Sequence, residues 1–431
     1  MLNLVSGLIG SAPRIKEKSY DSIAAALQIL QKRSDAPAHY RWAKKVAEAY
    51  RLDQSHPLNQ ALKSARSKGA FSIAGQEPDK IRANFCQGEL SSEAFIPYVQ
   101  KYGAGIVSIE VNEASDDLFE CIASNCPNLS TFIFNASLSP CLDLTDKGLE
   151  SLSRLENLSV LVFSAYHLFN VSEKGLETLF SSSHFSSNLV SLTMINAAFN
   201  DACYSFLSRY KQLETLTIKT ETLYYKTLSS SPLCNRLIHF SLTVSDRTKD
   251  FATDDFLNAL PLNLKSLVLG GSFKSVSASG FLTAMKRLSK LEHLSIIGAA
   301  IEAHLLKGMK PALKSLHLDD ASLLSLENLN DYFKAATELQ ELFIKNVQTS
   351  RLAFPSNLQK LHLHAPKFED LSCLPITLKE LLLEAVEVSS SDFENYFSGA
   401  AGLESLSIVN CLSFNRESLE SVLKSSADKL T

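Results

Sequence analysis

The chain has 431 residues, of which 45% are hydrophobic and 20% charged, and its net charge is −4. This balance is typical of a folded soluble protein and argues against extensive disorder. The first 70 residues carry twelve Lys and Arg against five Asp and Glu, so a basic segment precedes an acidic body. The eight cysteines form no CxxC pair and are too few for a disulfide scaffold, which predicts reduced thiols and a cytoplasmic protein. No apolar run approaches the ~18 residues that a membrane span needs.

Residues 1–80 contain no repeat and are predicted to form a small α-helical segment. Apolar residues at helical spacing predict one helix over residues 20–31. A second helix is predicted to begin near Asp35, with Pro37 in its first turn, and a third to cover residues 55–69. Three short helices are enough to cover one end of a larger apolar structure.

The remainder of the chain, residues 81–431, is dominated by one repeated pattern. The motif LxxLxL occurs thirteen times at intervals of 19 to 31 residues. Its fourth and sixth positions face one side of a short strand, and its fifth position faces the other side. A single strand of this kind cannot bury its apolar face, whereas stacked copies can. The copies open at Ile106, Leu129, Leu158, Leu189, Leu213, Leu237, Leu264, Leu291, Leu313, Leu339, Leu358, Leu378 and Leu403.

This motif resembles the leucine-rich repeat, which implies an α/β solenoid of about 13 repeats with a parallel sheet on its concave side. The stretch CPNLSTFIF at residues 126–134, followed by LTDKGLESL at 144–152, resembles the cysteine-containing repeats of F-box proteins. The short proline-preceded repeats near the C-terminus resemble those of bacterial effector proteins. The family usually holds Asn or Cys at the ninth position, where here only Cys411 conforms, so the turns after the strands should be irregular.

The convex segments between the predicted strands differ in length. Leu149 and Leu152, and then Leu176 and Leu179, have helical spacing and predict helices after the second and third repeats. Later intervals of only 19 and 20 residues leave little room for a helix. The convex side is therefore predicted to be mixed, with helices early and short extended segments late.

The N-terminal segment allows two roles. The preferred interpretation is a cap, because the exposed apolar end of a solenoid must be covered. The alternative comes from the stretch HYRWAKKVAEAYR at residues 39–51, in which Trp42 lies in a basic helix ahead of leucine-rich repeats. That arrangement resembles an F-box without its usual Leu-Pro opening, and the resemblance implies binding to a ubiquitin-ligase adaptor.

A candidate binding patch lies on the concave side of repeats nine to twelve. Concave side chains come from the third, fifth and seventh positions, which over most of the array are small or plain. In these four repeats they are aromatic, aliphatic and charged, a composition typical of an interaction hot spot. The predicted patch consists of His317, Glu341, Phe343, Lys345, Lys360, His362, His364, Glu380 and Leu382.

No catalytic or cofactor motif accompanies the repeat. The chain contains no phosphate-binding loop, GxSxG or HExxH, so it is predicted not to be an enzyme and to need no cofactor. His362 and His364 share a face, but His317 is two strands away, roughly 10 Å, so no metal site is predicted. The concave positions are not rich in Lys or Arg, which disfavours nucleic acid.

The predicted function is therefore a scaffold that binds a partner protein. One form of this hypothesis is a bacterial effector that acts on a host protein in the host cytosol. The alternative is an F-box-like substrate receptor of a ubiquitin-ligase complex.

Overall fold

The computed structural model describes Ser72–Ile73, Lys80–Asn84 and most of residues 95–411. The three helices predicted between residues 20 and 69 lie outside the described residues, and the domain boundary at residue 80 stays a prediction. Within 95–411 the description omits residues 113, 137–142, 166–170, 184, 186, 197–200, 221–235, 245–252, 274, 301–304, 307–308, 310–311, 323, 348–351, 367, 369, 388–389 and 401.

The described strands form one sheet of fifteen, in which each strand lies next to the strands that precede and follow it in the chain. The first two strands pair antiparallel, and every later pair is parallel. The strands are β1 Ser72–Ile73, β2 Lys80–Asn84, β3 Ser108–Val111, β4 Thr131–Ala136, β5 Val160–Ala165, β6 Ser191–Ile195, β7 Thr215–Thr220, β8 His239–Val244, β9 Ser266–Gly270, β10 His293–Ala300, β11 Ser315–Asp320, β12 Glu341–Ile344, β13 Lys360–His364, β14 Glu380–Glu384 and β15 Ser405–Val409.

The thirteen predicted strands are confirmed as β3 to β15, and the predicted register is confirmed with them. Neighbouring strands pair residues of the same repeat position, such as Leu316 with Leu342 and Leu342 with Leu361. Leu318 and Leu363 are 0% exposed, and Leu316 and Leu361 are at most 2% exposed. The fourth and sixth positions thus form one continuous apolar interior. Strands β1 and β2 precede the first LxxLxL motif and were not predicted.

Helices on the convex side connect most of the strands. The two helices predicted after the second and third repeats are confirmed as Asp146–Leu152 and Glu173–Ser181. In the connection between β13 and β14, the described residues form a 3-10 turn, Leu371–Cys373. The short connection is a local feature of the convex side, because the ten-residue helix Ser390–Gly399 follows β14. The described α-helices are α1 Ile96–Tyr102, α2 Asp116–Asn125, α3 Asp146–Leu152, α4 Glu173–Ser181, α5 Asp201–Leu207, α6 Asp254–Asn258, α7 Ala278–Arg287, α8 Leu326–Ala335 and α9 Ser390–Gly399.

The turns after several strands are made at the eighth position of the repeat. Asn196, Asn346 and Asn410 have positive φ there, and Gly271 and Gly298 occupy the same position in two other repeats. Asn and Gly reach this left-handed region at low cost. The family's preference for Asn at the ninth position is thus replaced in these repeats by Asn or Gly one residue earlier.

At the single repeat that keeps the ninth-position residue, the side chain bonds to the preceding repeat. The Sγ of Cys411 accepts a hydrogen bond from the backbone N–H of Val386 at 3.4 Å. Asparagines just before other repeats do similar work: Nδ2 of Asn128, Asn157 and Asn357 each donates to a carbonyl of the previous repeat. Backbone N–H and C=O groups in the turns are therefore hydrogen-bonded to side chains of the adjacent repeat.

Carboxylates connect successive convex helices. Asp146, the first residue of α3, accepts hydrogen bonds from the backbone N–H and the hydroxyl of Ser172, the N-cap of α4, at 2.7 and 2.6 Å. Asp116 makes the same two bonds to Thr145. Asp254 makes them to Ser277. Each helix start is therefore capped by its own hydroxyl residue and held by the repeat before it.

Candidate functional site

The predicted patch lies on four neighbouring strands, β11 to β14, whose register places its side chains in three rows. The middle row comes from the fifth positions, and we call it the aromatic row: His317, Phe343, His362 and Leu382. The third-position row contains Ser315, Glu341, Lys360 and Glu380. The seventh-position row contains Asp319, Lys345, His364 and Glu384. These twelve residues are called the concave patch below. All nine predicted residues are brought together, and Asp319 and Glu384 join them as charged members that sequence reasoning missed.

In the aromatic row, Phe343 lies between two imidazoles, with its ring tilted by 55° to that of His317 and nearly perpendicular, at 80°, to that of His362. Its ring centroid is 3.8 Å from that of His317 and 4.0 Å from that of His362. The three rings are half-buried, and the Nζ of Lys345 lies 5.2 Å from the centroid of Phe343. Cross-strand aromatic contacts of this kind stabilise a sheet. They also hold the rings in one orientation, so a partner that binds there pays little side-chain entropy.

The third-position row is a chain of alternating charge. The Nζ of Lys360 lies 3.0 Å from Glu380 Oε1 and 3.8 Å from Glu341 Oε1. All three side chains are about half exposed, so these ion pairs contribute little to stability. Their consequence is positional: one lysine is shared by two carboxylates, and this row keeps one uncompensated negative charge.

Glu384, at the β14 end of the seventh-position row, makes contacts with this row and with the aromatic row. Its Oε2 accepts a hydrogen bond from His362 Nε2 at 3.0 Å and lies 3.6 Å from Lys345 Nζ. Partial burial acts to raise the pKa of Glu384, but the hydrogen bond from His362 and the charge of Lys345 outweigh it, so the pKa lies below its ordinary value. The carboxylate is therefore ionised at neutral pH.

The histidines of the aromatic row are held in their neutral form. Partial burial lowers the pKa of His317, against the opposing charge of Asp319, and burial also lowers the pKa of His362 despite its hydrogen bond to Glu384. Among the described residues, the Nε2 of His317 and the Oγ of neighbouring Ser295 are buried polar atoms without a hydrogen-bond partner. Protonation of His317 would bury an unpartnered charge.

These lowered pKa values predict a loss of stability in mild acid. The unfolded histidines take up protons near pH 6.5, their ordinary pKa, before the folded ones do, so the free energy of unfolding decreases as the pH falls through that region. Urea unfolding at about pH 7.5 and about pH 5.5 measures it. The variant His317→Gln/His362→Gln should show a smaller difference between the two pH values, whereas the control His239→Gln, an exposed histidine on β8, should not. An equal pH dependence in both variants would contradict this interpretation.

The concave surface outside the patch has a different character. The fifth positions from β4 to β10 are uncharged and mostly small, namely Ile133, Val162, Thr193, Thr217, Ser241, Val268 and Ser295. Beside the patch, where β11–β14 begin, lies a polar depression of about 500 Å³ bordered by Lys314, Gln340, Gln359 and Lys379. The clustering of rings and charges on β11–β14 is thus a local feature of the sheet.

Within the residues that the structure describes, no three His, Cys, Asp or Glu side chains are grouped closely enough to hold a metal ion. The helices among these residues also include none with the length and apolar character required to cross a bilayer.

Comparison with known proteins gives similarity in fold only. No family model and no curated protein matches the chain. Among solved structures, the internalin inlF from Listeria monocytogenes is 17% identical and covers 80% of this chain and 85% of its own, with a TM-score of 0.38. Rad7, in its complex with Elc1 in yeast, is 17% identical over 79% of this chain and 86% of its own, with a TM-score of 0.46. Toll, in its Drosophila complex with Spatzle, is 16% identical and covers 78% of this chain but 40% of its own, with a TM-score of 0.43.

The assignment of the fold rests on the chain itself. Thirteen LxxLxL motifs coincide with thirteen parallel strands, the same repeat positions pair across each strand boundary, and convex helices close most of the connections. The chain is a leucine-rich-repeat solenoid.

Proposed function

We propose that this protein is an interaction scaffold that binds a partner protein through the concave patch on β11–β14. The observation that carries the proposal is the aromatic row, in which Phe343 is held between His317 and His362 on an outward-facing surface. Ion pairs border this row on both sides. An ordered apolar centre with a charged rim is the arrangement of a protein-binding hot spot. Nothing in this arrangement suggests catalysis, so we propose a binding role without an enzymatic one.

Replacement of the central rings tests the proposal. Affinity capture from a eukaryotic lysate with the full chain, followed by mass spectrometry, supplies the partner. The variant Phe343→Ala/His362→Ala is expected to weaken binding of that partner by about 2 kcal/mol or more, measured by titration calorimetry. The matched control is His239→Ala/His293→Ala, which removes two exposed concave histidines on β8 and β10.

Circular dichroism establishes that each variant is folded at the temperature of the titration, because loss of the ring contacts costs some stability as well. If Phe343→Ala/His362→Ala binds the partner as tightly as the wild type does, the binding site is elsewhere on the solenoid. If the control pair weakens binding equally, the aromatic row has no special role.

We propose further that the partner is a host protein and that this chain acts as a bacterial effector in the host cytosol. The support comes from the sequence, where short proline-preceded repeats are combined with longer helical ones, and from the dilute cysteines. Capture from eukaryotic and bacterial lysates side by side tests this: an effector enriches a specific partner from the eukaryotic lysate alone. Enrichment from the bacterial lysate alone would overturn it.

The alternative proposal, a substrate receptor of a ubiquitin ligase, places an adaptor on residues 1–80. Because β1 begins at Ser72 and is part of the sheet, the deletion that tests it removes residues 1–70 and spares the strand. A receptor loses the adaptor but keeps the concave partner after this deletion. A cap instead exposes apolar surface when it is removed, so the truncated protein is expected to aggregate, measured by light scattering. A monomeric truncated chain that retains every captured protein would contradict both roles.

A further inference from the structure

The negative charges of the concave patch outnumber the positive ones. The inference drawn below from this imbalance rests on the proposed function of the patch. The third-position row has two carboxylates and one lysine, and the seventh-position row likewise has two carboxylates and one lysine. Each outer row thus carries one surplus negative charge, and the patch carries −2 when its histidines are neutral. On the neighbouring strands, the positions beside these rows are uncharged on β15 (Ser405, Ser407 and Val409) and carry only His293 on β10.

The two surplus charges stand on opposite sides of the aromatic row. Third and seventh positions are four residues apart along each strand, which corresponds to ~13 Å. Between them lie Phe343 and Leu382, both half-buried and without charge. Along the strand direction, the surface is therefore negative, then apolar, then negative. Lys360 pairs with both carboxylates of its row, whereas Lys345 pairs with Glu384, the carboxylate at the β14 end of its row.

We propose that the partner contributes an extended basic segment in which an apolar side chain is flanked two residues away on each side by Lys or Arg. In an extended chain, residues i, i+2 and i+4 point the same way and span ~13 Å, the separation of the outer rows. One cation then binds a carboxylate of the third-position row, the other binds a carboxylate of the seventh-position row, and the apolar side chain covers Phe343 and Leu382. Both the attraction and the spacing follow from the rows of the sheet.

Synthetic peptides probe this chemistry without knowledge of the partner. The probe is a fluorescein-labelled peptide with Arg, Trp and Arg at alternating positions and Ser or Gly elsewhere. Three matched peptides replace both Arg by Glu, replace Trp by Ser, or place Arg, Trp and Arg consecutively. Fluorescence anisotropy with the full chain, at about 0.05 M salt, is expected to show at least about tenfold tighter binding of the alternating peptide than of each of the others.

Charge-neutralising variants localise the binding. Glu380→Gln/Glu384→Gln removes one carboxylate from each outer row and should weaken binding of the alternating peptide about fivefold or more. The control Glu150→Gln/Glu394→Gln makes the same change in net charge at exposed positions of the convex helices α3 and α9 and should leave binding unchanged.

Two results overturn the inference. One is binding of the Trp-to-Ser or consecutive peptide as tightly as the alternating one, which would mean unspecific attraction between charges. The other is equal binding of the alternating peptide by Glu380→Gln/Glu384→Gln and by its control variant. This includes the case in which neither variant shows detectable binding. Neither result decides the proposed function, because the captured partner and the Phe343→Ala/His362→Ala variant test the patch independently of the partner's charge.

Discussion

We expect Leu381→Asp to lower the free energy of unfolding by about 4 kcal/mol or more, whereas Leu382→Asp lowers it by less than about 1 kcal/mol. The two leucines are adjacent on β14 but face opposite sides of the sheet. Leu381 is 2% exposed and pairs with Leu361 and Leu406 inside the solenoid. Leu382 lies in the aromatic row on the concave surface. The same chemical change therefore puts a charge in the apolar interior in one variant and at the water interface in the other.

Urea unfolding followed by circular dichroism measures both variants, and hydrogen exchange reports which repeats lose protection. Because each repeat contacts only its neighbours, the loss in Leu381→Asp should be greatest from β12 to β15 and smaller toward β3. Similar destabilisation by the two variants would show that the register of β14 is wrong by one residue, since a shift of one exchanges the two faces of a strand.

The second large effect concerns the carboxylates that connect the convex helices. Gly175 is the third residue of α4, and a Cβ at this position would overlap the carboxylate of Asp146. Gly175→Ala is expected to destabilise the fold by about 2 kcal/mol, because Asp146 must move away from the N–H and hydroxyl of Ser172. Gly148 and Gly280 stand in the same relation to Asp116 and Asp254, which makes the close approach a recurring feature of these repeats.

A double-mutant cycle separates this overlap from the helix propensity of alanine. In an Asp146→Ala background, Gly175→Ala should stabilise α4 by up to about 1 kcal/mol, because the overlap is gone and alanine is the better helix former. Gly399→Ala is the control, since a Cβ there meets nothing within 4 Å. Thermal unfolding of the wild type, the two single variants and the double variant gives the coupling free energy between positions 146 and 175. If the effect of Gly175→Ala is the same in both backgrounds, the carboxylate is not its cause.

The repeat pattern predicted most of the candidate site but not two of its charged residues. Nine of its residues could be named in advance because the period-two alternation of a strand assigns each position to a face, and stacking in register brings equal positions together. Glu384 was missed because its importance depends on contacts with His362 and Lys345 from two other strands. Asp319 was missed for the same reason, since it is notable only as a charge next to a neutral His317.

The repeat pattern was sufficient to predict the solenoid, the number of motif-bearing strands, their register and the face on which each side chain lies. These follow from local periodicity, and a structure whose repeats contact only their neighbours adds little to local rules. Which residues close the turns, such as Asn346 and Cys411, became known only from the folded structure, because the hydrogen-bond partners of a turn come from the next repeat.

The tertiary structure also decided the ionisation of the patch and the interlocking of its convex helices. Whether His317 and His362 are neutral depends on burial and on charges of adjoining strands, and whether Gly175 can carry a side chain depends on a carboxylate of the preceding repeat. Such properties arise from distances between residues that are about one repeat apart in sequence. A pattern of residue types records that these residues recur, but it does not record how closely their atoms approach.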